Sequence, residues 1–184
     1  MALVLIKEDG TGKADANSYA DVAECDAYHE AHLYATSWTG ATGTQKAAAL
    51  CMATRVIDFE MQFNGVRKSS TQALQWPRRE CLDPDGEAYP LGSKYSQERF
   101  FDEDSIPKIL KDATCELARR LIQGDRTADP DGEGIKRFSL EGALSVEFER
   151  GDRKQPMPRE VYRMLEKLGR AIGASGGAVK LVRT

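Results

Sequence analysis

The sequence predicts a mainly α fold: a small bundle of about four helices with one β-hairpin, a long acidic loop and an extended C-terminal tail. Three observations carry this. Apolar residues recur at helical spacing in stretches set apart by Gly-, Pro- and Thr-rich breaks. Leu144, Val146 and Phe148 alternate with Ser145, Glu147 and Glu149, the period of a strand. Residues 80–104 show neither period and hold eight acidic residues against two basic ones.

Taken in order, Leu3 to Lys7 reads as a short strand or extended arm, closed by the turn-forming Asp9-Gly10-Thr11-Gly12. Ser18 is a candidate N-cap for a helix from about Tyr19 to Leu33, with Asp21 placed to favour its N-terminus. A break at Ala35–Gly43 precedes a second helix from about Gln45 to Gln62. Its apolar face, with Ala49, Leu50, Met52, Ala53, Val56, Ile57, Phe59 and Phe63, is wide enough for more than one neighbour. Asn64-Gly65 ends it. Ser105 and Pro107 open a third helix along which Ile106, Leu110, Ala113, Leu117 and Leu121 form a stripe, and Gly124 stops it. Phe138 and Leu140 face the alternating strand across Glu141-Gly142, giving a hairpin over residues 135–150. A last helix follows Pro156-Met157-Pro158, with Val161, Leu165, Leu168 and Ile172 aligned. The chain thus reads as one domain over residues 1–172 and a tail over residues 173–184.

At 184 residues the chain is long enough to bury a real core. Its net charge of -3 argues against a general nucleic-acid coat, which needs surplus Lys and Arg. No stretch approaches the roughly 20 apolar residues that cross a bilayer. The run Leu3-Val4-Leu5-Ile6 is too short for a secretory segment, which points to a protein made in the cytoplasm. Cys25, Cys51, Cys81 and Cys115 are far apart with no close pair, and are read as free thiols.

Few residues suggest chemistry. Cys25, His29 and His32 fall on one side of the first helix and could converge on a metal, but no fourth ligand is evident, so a solvated helix face is the plainer reading. Asp-Pro-Asp-Gly-Glu occurs at 83–87 and 129–133 without the Gly and Glu spacing of a calcium loop; both copies read as turns. No nucleophile elbow, phosphate-binding loop or zinc-protease motif is present. No enzymatic activity, cofactor or metal is expected, and no catalytic or cofactor-binding residue is assigned. The stretch Trp76-Pro77-Arg78-Arg79, with Arg67-Lys68, could form a stacking and basic platform for single strands. The competing reading makes Trp76 and Pro77 a buried structural anchor. Arg78 and Arg79 would then ion-pair within the loop or between subunits, with Asp102, Glu103 and Asp104 as carboxylate partners.

Asp9-Gly10-Thr11-Gly12, Ala16-Asn17-Ser18-Tyr19-Ala20-Asp21 with Ala27-Tyr28, and Gln72-Ala73-Leu74-Gln75-Trp76-Pro77-Arg78 resemble a family of tailed-phage and prophage proteins. Ser105-Ile106-Pro107 and Lys136-Arg137 before Val146-Glu147-Phe148 are similar to its later landmarks. Members are often labelled putative DnaT-like single-stranded-DNA-binding proteins, and the architecture is similar to the head-to-tail adaptors (connectors) of long-tailed phages. The resemblance implies a structural virion protein in the head-tail neck. It would form a homo-oligomeric ring, most often twelvefold, beneath the portal protein. It would extend the channel for double-stranded DNA without specific binding and present a platform to the next neck or tail component. The tail tip Val179, Lys180, Leu181, Val182 and Arg183 would then dock on the portal. The alternative is a single-stranded-DNA-binding protein of phage replication.

Overall fold

The structure is a computed structural model that describes residues 3–85, 100–128, 137–140, 144–147 and 155–172. The mainly α fold with a hairpin is what it contains. The helices are α1 (Val22–Glu30), α2 (Thr36–Thr39), α3 (Gly43–Glu60), α4 (Lys108–Gln123) and α5 (Arg159–Leu165). Three two-stranded antiparallel pairs accompany them. β1 (Met61–Phe63) pairs with β6 (Gly169–Ala171), β2 (Val66–Arg67) with β3 (Arg78–Arg79), and β4 (Arg137–Leu140) with β5 (Leu144–Glu147). The last pair is the expected hairpin, in register Phe138 to Val146 and Leu140 to Leu144. The expected tail lies outside the described residues. No helix among the described residues is long and apolar enough to cross a membrane.

α4 is the centre of the bundle. Residues on several sides of it are buried, among them Leu110, Ala113, Cys115, Leu117 and Ala118, and α1, α2, α3 and α5 all pack on it. α3 covers α4 with Leu50, Ala53 and Ile57. α5 contributes Val161 and Leu165, and Met157 just before it is also buried. The N-terminal arm is extended, as expected. Its Glu8 amide donates to the Ser18 carbonyl at 2.8 Å, and Asn17 donates back to Ile6 at 2.8 Å.

Several boundaries differ from the sequence reading, each for a physical reason. α1 begins later because Asp21, not Ser18, is its cap: Asp21 accepts from the Glu24 amide and Glu24 reaches back to the Asp21 amide, a full capping box. Ser18 is buried, with its hydroxyl on the Ala20 carbonyl at 2.7 Å. Thr42 and Gln45 form a second capping box at the start of α3. α4 has no side-chain cap; Pro107 stands at its N-terminus and Ser105 lies outside it. The break at 35–43 contains one helical turn, α2, which exists because Trp38 is fully buried and its indole N–H donates to Asp26 at 2.7 Å. The aligned apolar stripe at the C-terminus is cut short. α5 stops at Leu165, Leu168 is buried in the turn that follows, and Ile172 is exposed beyond β6. The peptide groups of 169–171 are used to pair β1 instead of extending the helix.

The cysteine reading is also corrected. Cys25 on α1 and Cys115 on α4 are joined by a disulfide, with a Cα–Cα distance of 5.2 Å; Cys51 and Cys81 are free. A sequence separation of 90 carries no signal that two helices will cross at those residues. This bond fastens α1 to the central helix. Reduction of the folded protein is therefore expected to lower its unfolding free energy by about 2–4 kcal/mol. Urea denaturation with and without a phosphine reductant measures it, and an unchanged midpoint would mean that the two thiols are free.

Candidate functional site

The segment Gln72–Arg79 turns inward. The Trp76–Pro77 peptide bond is cis. The Trp76 ring is fully buried, edge-on to Phe63 and Phe101 at centroid distances of 6.0 Å each. Gln72 is buried beneath the same turn. Its amide nitrogen donates to the carbonyls of Leu74 (2.9 Å) and Pro77 (3.0 Å), and its amide oxygen accepts from the Ser69 amide (2.8 Å). Arg78 is buried as well. Its guanidinium donates to the carbonyls of Asn64 (2.7 Å), Gly65 (2.7 Å), Gln75 (3.1 Å) and Phe63 (3.4 Å). Within the chain its partners are carbonyl oxygens, with no carboxylate in an ion pair among the described residues. These carbonyls lie where α3 hands over to β1 and β2, and a chain end buried there needs donors. Gly65 makes the turn possible: its φ is +71°, and a Cβ would stand 2.2 Å from the Arg79 carbonyl.

Arg79 points outward. Its Nε lies 3.8 Å from Glu103, and its guanidinium also donates to the Lys68 carbonyl. Lys68 pairs with Asp104 and donates to the Gly10 carbonyl at 2.9 Å. Asp102 accepts from the Asp104 amide at 3.0 Å, closing a local turn. The acidic stretch 102–104 is thus tied back to the motif and to the Asp9–Gly12 loop. At that loop, Gly10 has φ +103° and passes so near Asp104 that a Cβ would lie 2.0 Å from its carbonyl oxygen.

The sequence reading missed two groups that organise this region. Glu8 is fully buried, and its carboxylate accepts from the amides of Gly10 (3.0 Å), Gly12 (2.8 Å) and Lys13 (2.8 Å). The Gly-rich loop therefore forms an anion-binding concavity filled by its own chain. A Glu two residues before the first of two closely spaced glycines was the available signal. The second group is Asp58 on α3. It accepts from the Tyr19 hydroxyl and from the Gln75 amide at 3.1 Å, and the Tyr19 oxygen in turn accepts from the Trp76 amide at 3.3 Å. Burial pushes the Asp58 carboxyl up to about 6, against the lowering effects of Tyr19, the Gln75 amide, Arg67 and Arg78. Burial and the Asp58 charge together hold the Tyr19 phenol well above its ordinary range. A lone acid inside the apolar run Ile57-Asp58-Phe59 could have marked this residue.

Cys25, His29 and His32 do not form a metal site, nor a solvated face. Cys25 is in the disulfide, and His29 is buried with Nε2–H donating to the Cys115 carbonyl at 3.0 Å. Burial keeps His29 below the usual imidazole range. His32 lies 3.8 Å from Glu116, which is buried with Arg119. In the first Asp-Pro-Asp-Gly-Glu copy, Asp85 donates its amide to the Asp83 side chain at 3.0 Å, a turn. The remainder of that copy, the whole second copy, and Val179, Lys180, Leu181, Val182 and Arg183 lie outside the described residues.

Two features of the surface bear on partners. Most basic side chains near the motif and helices are taken: Lys7, Lys13, Lys46, Lys68, Lys108 and Lys111 each pair with a carboxylate. By contrast, the outward face of α3 is open. Phe59 is 76 % exposed. It stands between a cleft of 400 Å³ that reaches Asp58 and an apolar groove of 660 Å³ lined by Ala48, Met52, Val56 and Leu3.

In comparisons with known proteins, the model of the family described as "Putative DnaT-like ssDNA binding protein" matches residues 1–184. No curated protein and no solved structure matches the chain.

The Asp58 hub makes stability depend on pH with a defined sign. Unfolded, the carboxyl titrates near its ordinary value of 3.8; folded, at about 6. Between these values the folded state keeps a proton that the unfolded chain has lost, so stability falls as pH rises through the window and levels above it. The fall is on the order of 1–3 kcal/mol. Chemical denaturation from pH 4 to pH 7 measures it, and Asp58→Asn is expected to flatten this part of the profile; an unaltered slope in the variant would assign it elsewhere.

Proposed function

The chain belongs to the family of putative DnaT-like ssDNA binding proteins, and from that premise we propose that it is a structural protein acting by assembly: a head-to-tail adaptor of a tailed phage, forming a ring beneath the portal protein. The observation that carries this reading is the division of labour on α3 and the motif. The residues best suited to hold a nucleic acid, Trp76 and Arg78, are buried and committed to the chain's own ring and carbonyl groups. Among the residues that α3 leaves to solvent are apolar ones, Met52 in part and Phe59 largely, which border a groove, the chemistry of a protein contact. Stacking on single strands needs an accessible ring, and the Trp76 ring is fully buried.

The second reading, binding of single-stranded DNA in phage replication, is favoured by the family's description. On that reading Arg67 and Arg79, at the edge of β2–β3, would contact phosphates. In the adaptor, the net charge of -3 per copy gives the ring a negative total. That suits a conduit through which DNA passes without being held.

Electron microscopy of the protein mixed with the portal protein of its own phage is expected to show a symmetric ring docked on the portal. A labelled poly-dT oligonucleotide is expected to show no shift at low salt. A tight, salt-sensitive shift, weakened by Arg67→Ala with Arg79→Ala, together with no ring on the portal, would replace the adaptor with the second reading.

A further inference from the structure

A ring closes through a head-to-tail contact, so each copy must carry two different complementary patches. We propose that the Leu33–Tyr34 turn of one copy seats in the groove beside Phe59 on α3 of the next; this inference rests on the assembly reading above.

The turn between α1 and α2 projects two consecutive large apolar side chains into solvent, Leu33 at 84 % and Tyr34 at 72 % exposure. It is a held knob. The Tyr34 amide donates to His32 Nδ1 at 3.0 Å, and Arg119, buried on α4, donates to the Tyr34 carbonyl at 3.3 Å. A pre-shaped element loses little freedom on docking. The groove, at 660 Å³, exceeds the combined volume of a leucine and a tyrosine side chain. Its apolar lining includes Leu3, Ala48, Met52, Val56 and Phe59; of its two charged members, Glu60 accepts from the Tyr162 hydroxyl at 2.6 Å, which leaves Arg55 for a partner.

Charge fits the same pairing. Glu30, at the end of α1 and one turn before Leu33, is exposed; Arg55, which lines the groove, is exposed too. Neither has an ion-pair partner among the described residues, in a chain where most Lys side chains around them are paired. Seating the knob in the groove brings this acid and this base into one contact, where complementary charge fixes register. Knob and groove share no residue. Each copy therefore keeps one free patch after the first contact, and the chain of copies continues until it closes. A twofold contact of α3 on α3 would fill the groove and leave both Leu33 and Tyr34 in water.

The test uses the full chain. With Cys51→Ser to remove the free thiol in the groove, Glu30→Cys combined with Arg55→Cys is oxidised at high protein concentration. Non-reducing gels are expected to show a ladder of dimers, trimers and larger species, absent when either new cysteine is present alone. In sedimentation velocity, Leu33→Asp, Glu30→Arg and Arg55→Glu are each expected to weaken self-association about fivefold or more. Glu30→Arg with Arg55→Glu is expected to recover most of it. Glu30, Leu33 and Arg55 are solvent-exposed and Cys51 is partly so, and unchanged thermal melts check that the variants fold. A ladder that stops at the dimer, no cross-link at all, or a double swap no better than the single ones overturns the contact. Rings that still form on the portal with all these variants would overturn this contact and leave the adaptor reading standing. Absence of rings for the unaltered chain would remove the reading itself.

Discussion

The Arg78 guanidinium is the interaction on which the rest of the structure hangs. Where α3 ends, the chain makes a short strand, a glycine turn and a second strand within a few residues. The carbonyls of Phe63, Asn64 and Gly65 there all lie within reach of the Arg78 guanidinium. One planar cation with several N–H donors satisfies these, and the Gln75 carbonyl besides. A lysine would offer a point charge and could not span the set. With Arg78 so placed, β3 is held against β2, Trp76 is brought over Phe63, and the Trp76 amide reaches Tyr19. Tyr19 and Asp58 then join the N-terminal segment to α3. The motif is a brace linking segments more than fifty residues apart.

That arrangement explains which parts of the protein could be read in the sequence. Periodicity is a local property, and the elements defined by it were legible: α3, α4 and the β4–β5 hairpin stand where Ala49–Ile57, Leu110–Leu121 and residues 138–148 put them. Elements stabilised by a single distant contact were not. Trp38 makes a helix of four residues by burying its ring and donating to Asp26. The Cys25–Cys115 bond depends on how α1 crosses α4. The end of α5 depends on β1, a strand about a hundred residues earlier, offering backbone partners to 169–171. In each case the deciding partner lies outside any window in which propensity operates. The inward orientation of Trp76 was legible from its size and from the proline after it, whereas the role of Arg78 depends on carbonyls that no sequence pattern marks.

Electrostatics separates the two halves of the molecule in a similar way. Glu116 and Arg119 on α4 are buried and paired: burial opposes ionisation of Glu116, yet Arg119 outweighs it and holds that carboxyl below its usual range. Arg120 extends the same cluster to Glu160 on α5 at 2.5 Å. Breaking such a set strands a charge in a dry interior, which costs more than a surface pair is worth. The surface lysines, by contrast, pair with partly exposed carboxylates around the N-terminal arm, α1 and the motif. Pairing of this kind lowers the positive potential around those lysines.

The apolar face of α3 is only partly used within the chain. Leu50, Ala53 and Ile57 use one half of it against α4. The other half, around Met52 and Phe59, faces water, with Leu3 beside it and Val4 exposed next along the arm. A single exposed phenylalanine is ordinary, but a contiguous patch bordering a groove is not. Covering a ring of this size removes it from water at a gain of about 1.5–3 kcal/mol. A state that covers it is therefore favoured over the isolated chain once the association cost is met. Were such a state to form, the stability of the fold would rise with the concentration of whatever covers the face. The brace inside the motif and the open face outside it are two consequences of one layout: α3 is fixed from behind, and its front keeps Phe59 in water.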